Sequence, residues 1–264
     1  MAPTLLLTID VESDWGGRSI PSSSNVSAAI TAMPRLINIF DQHKIPATWF
    51  FAGETVPFLA DELRVLCRYN HEIASHAYCH RDYARYTQEM LRDDLIRSRQ
   101  TLQLATGHRA VSFRAPRFFI HPFHNQIIRE CGFKFDCSRI ANQPSFEPSQ
   151  ATPGCPINNL DLIKLPPLGI KPGLLFIDKI GISLFSSTLK TYPHDYLVIY
   201  MHPFDFISPL PPPPRGTPLA VRLWHHLSIH NRYVLLEKII RSGKEAGCAF
   251  ATVAEYCRDP FAIG

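Results

Sequence analysis

The sequence lacks any segment that would predict a membrane span or a disulfide framework. No apolar run approaches the roughly 20 residues that a helix needs to cross a bilayer. The seven cysteines are odd in number and include no CxxC pair, which favours reduced thiols. The first residues, MAPTLLLTID, lack the basic start of a signal peptide. These absences predict a soluble, cytoplasmic protein with no membrane span.

Runs of Lys or Arg are missing as well, and no internal repeat stands out. The formal net charge of +4 is too small to indicate binding to nucleic acid. A chain of 264 residues with 45% hydrophobic content is long enough to bury a large core. We expect a single domain over residues 1–264.

Apolar strand-like runs alternate with helix-like segments along most of the chain. The run 4–9 is almost wholly apolar, which is typical of a strand buried on both faces. Regular alternation of this kind favours a parallel α/β fold, and about seven such units favour a barrel. The other predicted strands are 47–51, 73–74, 112–116, 133–138, 196–201 and 249–253.

Two histidines follow the third predicted strand, in the stretch EIASHAYCH. His76 and His80 are four residues apart, a spacing at which two imidazoles can bind one metal ion. A second HxxxH pair, His226 and His230, lies in a predicted long helix. We interpret the second pair as an exposed or packing face. Only the first pair has other polar residues predicted around it.

Those polar residues stand where the predicted strands end. Each one alone also fits a capping, ion-pair or turn role. Together they would meet at the carboxyl edge of a parallel sheet, the edge at which α/β barrels carry their sites. The residues are Asp10 and Glu12 after the first strand, Arg114 after the fourth, Asp136 after the fifth and His202 after 196–201.

This set of side chains suits metal-assisted hydrolysis. One carboxylate with two imidazoles is a common open zinc site. A second carboxylate can accept a proton from water, and a further histidine can protonate the leaving group. An arginine beside the base favours its ionised form, and an aspartate behind the acidic histidine fixes its tautomer and raises its pKa.

The order of five motifs, TIDVES, SHAYCH, FRAPR, FDCS and YMHPFD, resembles that of the NodB-homology polysaccharide deacetylases. The resemblance covers about residues 5–205. It implies a metal-dependent carbohydrate esterase with a distorted (β/α) barrel, formed here as a single catalytic domain. By position, it implies Asp10 as the base, His76 and His80 as metal ligands, Arg114 as the arginine that holds the base, His202 as the acid and Asp136 as the aspartate that supports the acid.

The chain departs from the family pattern in two ways. Val11 separates Asp10 from Glu12, where many members have adjacent aspartates. Strand side chains alternate, so Asp10 and Glu12 would share a face. Glu12 is therefore the expected third metal ligand, with Asp14 as the alternative. This DxE form resembles the branch linked to exopolysaccharide and cell-envelope glycans. Arg117 stands where an aromatic residue is common, which implies a groove that favours an anionic group.

The resemblance implies removal of an acetyl or another small acyl group from an N-acylated sugar of a glycan or glycolipid. One divalent ion, with zinc expected, would be the cofactor. Two alternatives remain open, a metal-free hydrolase of cyclic amides on the same fold and a non-catalytic glycan-binding protein. The residues predicted to contact the sugar are Trp15, Arg117, Phe118 and Phe204.

Overall fold

The computed structural model describes residues 2–80, 83–141, 158–165, 172–209, 212–219, 222–223 and 231–258. Seven strands in this part of the chain form one parallel sheet. They are β1 (Thr4–Val11), β2 (Thr48–Phe51), β3 (Glu72–Ser75), β4 (Ser112–Phe113), β5 (Phe135–Asp136), β6 (Asn158–Asn159) and β7 (Tyr196–Met201). The order across the sheet is β6-β5-β4-β3-β2-β1-β7.

The sheet is curled and open, with β6 and β7 as its edges among the described residues. The predicted distorted (β/α) barrel of about seven parallel strands is confirmed. A fully closed barrel, which the strand count also favoured, is not formed by these strands, because the sheet curls only into a half-barrel. Its carboxyl edge therefore has an open side.

Helices flank the sheet and lie in the connections β1–β2, β2–β3, β3–β4, β4–β5 and β6–β7. They are α1 (Asp14–Gly17, one distorted turn), α2 (Ser27–His43), α3 (Ala60–Leu66), α4 (Gln88–Thr106), α5 (His124–Glu130), α6 (Leu174–Ile180), α7 (Ile182–Lys190), α8 (Arg232–Glu245) and α9 (Val253–Arg258). No helix in the described part of the chain is long and apolar enough to cross a bilayer. The pair His226 and His230 lies outside the described residues.

The strand predicted at 249–253 is wrong. Only an isolated bridge joins Phe250 to Leu5, and α9 begins at Val253. A reciprocal cap ends the extended segment: the Glu255 amide donates to the Thr252 hydroxyl at 3.1 Å, and the Thr252 amide donates to the Glu255 carboxylate at 2.9 Å. This capping box favours the start of a helix over continuation of a strand.

The side chains on the two faces of β1 lie in different environments. All eight residues of β1 are buried, and their side chains alternate between the faces of the sheet. Odd-numbered residues such as Leu5 and Ile9 pack in the hydrophobic core that the outer helices share. On the even-numbered face, Leu6 belongs to a smaller apolar cluster closed by α9. The same even-numbered face continues with Thr8 and then Asp10, so it becomes polar as the strand approaches its carboxyl end.

Candidate active site

A cavity of about 320 Å³ opens at the carboxyl edge of the sheet. A second cavity, of about 410 Å³, lies beside α7 and α8 and contains none of the predicted site residues. Nine of the eleven predicted residues line the cavity at the carboxyl edge: Asp10, Glu12, Trp15, His76, His80, Arg117, Phe118, His202 and Phe204. Arg114 and Asp136 do not line it.

Arg114 holds Asp10 from beneath the cavity. Its Nη1 donates to Oδ1 of Asp10 at 2.7 Å and to the Thr8 hydroxyl at 2.9 Å. The side chains of Arg114 and Asp10 are 0% and 2% exposed, and the guanidinium lies 4.3 Å from the centre of the Phe50 ring. A charge-assisted hydrogen bond inside a buried site fixes the carboxylate in one position. Asp10 therefore presents its free oxygen to the cavity in a defined orientation.

Glu12, His76 and His80 form a compact buried group beside Asp10. One oxygen of Glu12, Oε2, lies 2.5 Å from His80 Nε2 and 3.5 Å from His76 Nε2. One ligand atom from each residue lies within 4.8 Å of the other two. Burial alone raises the pKa of the Glu12 carboxyl, but the neighbouring His80 and His76 outweigh it and hold that pKa well below its usual range.

The chemistry of this group fits a divalent metal ion. His76 Nδ1 donates to the carbonyl of Arg114 at 2.8 Å, which leaves the Nε2 lone pair directed at the centre of the group. Glu12 Oε2 is buried without a hydrogen-bond donor. Asp14, the alternative ligand, instead accepts from the Ser27 hydroxyl at 3.2 Å and lies outside the group.

The segment that carries the two histidines is held by Asp94 on α4. β3 ends at Ser75, and Ala77 then takes a left-handed conformation with φ 63°. The Asp94 carboxylate accepts the amides of Tyr78 at 2.6 Å and Cys79 at 2.9 Å. These two bonds replace the strand pairing that the backbone loses after Ser75.

We expect Asp94→Ala to lower the free energy of unfolding by about 2 kcal/mol, because it leaves two amides of the histidine segment unpaired. The change should also weaken metal binding, since the segment positions His76 and His80. Urea unfolding and metal titration of the purified variant measure both effects. Asp93→Ala, at the exposed neighbouring position, is the matched control. Equal unfolding energies for the two variants would contradict this role of Asp94.

His202 lines the same cavity as Asp10 and pairs with Asp205. The Asp205 carboxylate accepts from the His202 amide at 2.8 Å and contacts Nδ1 of the same residue at 3.2 Å. Burial by itself lowers the pKa of His202, but Asp205 and, more weakly, Glu12 raise it to about 9. His202 Nε2 lies 3.9 Å from Glu12 Oε1. A protonated imidazole is therefore directed at the cavity at neutral pH.

The predicted pairing of Asp136 with His202 is wrong. Asp136 contacts His124 Nε2 at 3.2 Å and accepts the Ser138 amide at 3.1 Å. The Ser138 hydroxyl donates to the same carboxylate. These contacts join the end of β5 to α5, so Asp136 secures a strand end behind the cavity. Asp205 supports the histidine instead, because the turn Pro203–Phe206 folds its carboxylate back onto His202.

Aromatic side chains form the walls of the cavity. Phe204 stacks on His202 with ring centres 4.5 Å apart, and Phe118 meets Tyr200 edge-on at 5.3 Å. Tyr200 and Arg18 also line the cavity and were not predicted from the sequence. Tyr200 could have been predicted from its position two residues before His202 at the end of the last strand, since strand residues two apart share a face. No comparable pattern indicated Arg18.

Comparison with known proteins adds a family match. Residues 7–135 match the family model described as polysaccharide deacetylase. The peptidoglycan deacetylase of Helicobacter pylori is 26% identical over 152 residues, which cover 54% of this chain and 52% of that protein. A chitooligosaccharide deacetylase of Rhizobium leguminosarum is 30% identical over 122 residues, 44% of this chain and 52% of that protein. The chain thus spans about half the length of these curated relatives.

A solved structure of a protein with a similar description shares this fold. The crystal structure of a Mycobacterium smegmatis protein classed with the polysaccharide deacetylases superposes with a TM-score of 0.68 at 18% identity. That match covers 99% of this chain and 90% of the other. The family match begins within β1 and ends at the first residue of β5, so it includes three of the five motifs that carried the resemblance: TIDVES, SHAYCH and FRAPR. The family match over residues 7–135 and the shared fold together support a NodB-homology polysaccharide deacetylase.

Proposed function

We propose that this chain, as a single catalytic domain, is a metal-dependent carbohydrate N-deacetylase that removes an acetyl or other small acyl group from an N-acylated sugar. The observation that carries the proposal is the meeting of three groups at one cavity: the Asp10–Arg114 pair, the Glu12–His76–His80 group and the His202–Asp205 pair. The family match and the relatives named as glycan deacetylases support it.

Glu12, His76 and His80 would hold the metal ion, and zinc suits their donor atoms best. When bound, a divalent ion would act as a Lewis acid on the acyl carbonyl and make water more acidic. The DxE spacing places the ligand Glu12 on the same face as the base Asp10. The described residues supply three ligands here, so the site keeps room for water and substrate.

Asp10 would act as the general base. Its carboxylate lines the cavity next to the Glu12 group, and Arg114 fixes it there at 2.7 Å. A base must lie within hydrogen-bond reach of the proton it accepts, and a fixed carboxylate maintains that geometry. Asp10 therefore takes the proton from the water that attacks the acyl carbon.

His202 would act as the general acid. An amine leaves an amide readily only when its nitrogen has been protonated, so the reaction needs a proton donor on the leaving-group side. His202, with its pKa raised to about 9 by Asp205, is protonated at neutral pH. Trp15, Phe118 and Phe204 would contact the sugar, because aromatic faces pack well against its C–H surfaces.

The direct test combines metal analysis with acetate release from N-acetylated sugars, chitooligomers and peptidoglycan. We expect about one divalent ion per chain and acetate release from at least one of these glycans. Acetate release that persists after complete removal of metal would favour the metal-free hydrolase. Glycan binding without acetate release from any substrate would favour a binding protein and contradict the proposal.

The third ligand can be tested by metal content alone. We expect Glu12→Ala to lower the metal content of the purified protein, because it removes the only carboxylate of the group. Asp14→Ala should retain the metal, since Asp14 bonds Ser27 instead. Elemental analysis after dialysis measures both variants. Loss of metal from the Asp14 variant alone would assign the ligand to Asp14.

The partner of the acid can be tested by the pH–rate profile. Asp205→Asn removes the carboxylate that raises the pKa of His202, so this pKa should fall from about 9 towards 6.5. An acid must be protonated to act, and its activity is lost as pH rises through its pKa. The alkaline limb of kcat should therefore move to lower pH. Asp136→Asn, which removes a carboxylate bonded to His124, is the control and should leave that limb in place.

A further inference from the structure

Two arginines from different loops face the same cavity. Arg18 follows the distorted turn α1, and Arg117 lies in the turn Pro116–Phe118 after β4. Both are exposed, and both line the cavity that contains Asp10 and His202. The cavity mouth therefore carries two positive charges that the proposed mechanism does not use.

The backbone places these arginines by unusual conformations. Trp15, Gly16 and Gly17 all have positive φ, at 66°, 82° and 63°. A Cβ on Gly17 would lie 2.2 Å from His80 Nδ1, so only glycine allows the turn to cross the histidine so closely. Arg18 is the next residue after this close approach to His80, and it lies at the edge of the cavity.

Arg117 is held in a similar way. Arg117 and Phe118 are consecutive non-glycine residues with φ of 56° and 59°. Each such residue is strained and persists only where neighbouring structure fixes it. Phe118 is fixed by its edge-on contact with Tyr200 and by its amide, which donates to the Ala115 carbonyl at 3.0 Å. The strained turn orients Arg117 towards the cavity mouth.

Neither guanidinium group pairs with a carboxylate of the described residues. In the described part of the chain, neither Arg18 nor Arg117 forms a salt bridge or a side-chain hydrogen bond. Burial and then the positive charge of Arg117 lower the pKa of Arg18, and Glu12 opposes this only in part. Two like charges at one cavity mouth repel each other, and an anion between them would relieve that repulsion.

Building on the proposed deacetylase function, we propose that Arg18 and Arg117 form an anion subsite that selects N-acylated sugars carrying a carboxylate or a phosphate ester. Guanidinium groups match both anions because their N–H donors form a planar fork that binds two oxygens at once. The acyl group would lie at Asp10 and His202 while the anionic substituent lies at the mouth. A neutral sugar would leave the two charges without a partner.

The test compares two pairs of sugars. In each pair, one member carries the anionic group and the other carries a neutral group in its place. For the carboxylate, the pair is the methyl glycoside of N-acetylglucosaminuronic acid and its neutral methyl ester. For the phosphate, the pair is N-acetylglucosamine 1-phosphate and the methyl glycoside of N-acetylglucosamine. The measurements are kcat/KM for acetate release and, independently of turnover, Kd by calorimetry at low and high salt. The pair that shows the larger preference for its anionic member identifies whether the subsite binds a carboxylate or a phosphate.

We expect the ratio of anionic to neutral kcat/KM, and the corresponding ratio of affinities, to fall about tenfold in Arg18→Gln and in Arg117→Gln, the size of one lost charge-assisted hydrogen bond. High salt should reduce the preference. Arg→Lys variants should retain part of it, because they keep the charge and lose the fork. Arg68→Gln, at an exposed position away from the cavity, should change neither ratio.

Equal affinity for the charged and neutral members of both pairs would overturn the subsite. An anionic preference that survives in the Arg18→Gln/Arg117→Gln double variant would overturn it as well. Absence of acetate release from every sugar would contradict the deacetylase function alone, and the calorimetric ratios would still decide whether the subsite exists.

Discussion

Replacing His202 with Asn is expected to lower kcat for hydrolysis of the N-acetyl group by about 10²–10⁴-fold, the range typical of a lost general acid. The metal content should not change, because His202 lies outside the Glu12–His76–His80 group. Asparagine keeps a polar side chain of similar reach but cannot supply the proton that the amine needs. Steady-state kinetics on the preferred glycan, with elemental analysis of the same sample, measure both quantities.

Activated esters separate the acid role from simple contact with the substrate. A phenolate-type leaving group departs without protonation, so the His202→Asn variant should hydrolyse such an ester at nearly the normal rate. Phe204→Leu is a useful control, because it removes the ring stacked on His202 at 4.5 Å and keeps the imidazole. If amide and ester turnover fall by the same factor in His202→Asn, the histidine contacts the substrate and is not the acid.

Replacing Asp10 with Asn is expected to produce two large effects, on turnover and on stability. Turnover should fall by at least about 10²–10⁴-fold, because the variant lacks the general base. The free energy of unfolding should fall by about 3–5 kcal/mol, because the buried Arg114 loses the carboxylate that pairs with it in the described part of the chain. Metal content should be retained, since Asp10 is not a member of the ligand group.

A double variant separates the two effects of Asp10. Asp10→Asn combined with Arg114→Met removes both buried charges, so neither charge is left buried without its partner. We expect the double variant to regain most of the lost stability and none of the lost turnover. Recovery of activity together with stability would mean that Asp10 acts through folding alone.

Much of the site was predictable because its residues are fixed by strands. Asp10 and Glu12 share a face through strand alternation, and His76 follows β3 directly. Parallel strands bring such ends to one edge, whatever the details of the loops. The contact between Asp10 and Arg114 was expected from the family resemblance, and the two side chains meet at 2.7 Å.

The features that sequence did not predict depend on turns and on helix packing. Asp205 reaches His202 only because the turn Pro203–Phe206 folds back. Asp136 bonds His124 because α5 packs against the end of β5, a tertiary contact with no local pattern. Arg18 reaches the cavity through three successive left-handed residues, and sequence spacing cannot predict where such a turn will point.

The division of β1 into a packing face and a catalytic face has a consequence for how this protein can change. Substitutions at Thr8 or Asp10 act on the pair with Arg114 and on the cavity, while the odd-numbered residues keep their contacts in the core that the outer helices share. A single-residue insertion or deletion within Thr4–Val11 would exchange the two faces over the rest of the strand. Val11 would then stand where a ligand or base belongs, and Asp10 would be forced among the helices. A point substitution in β1 therefore affects one face at a time, whereas a one-codon length change would disrupt folding and catalysis together.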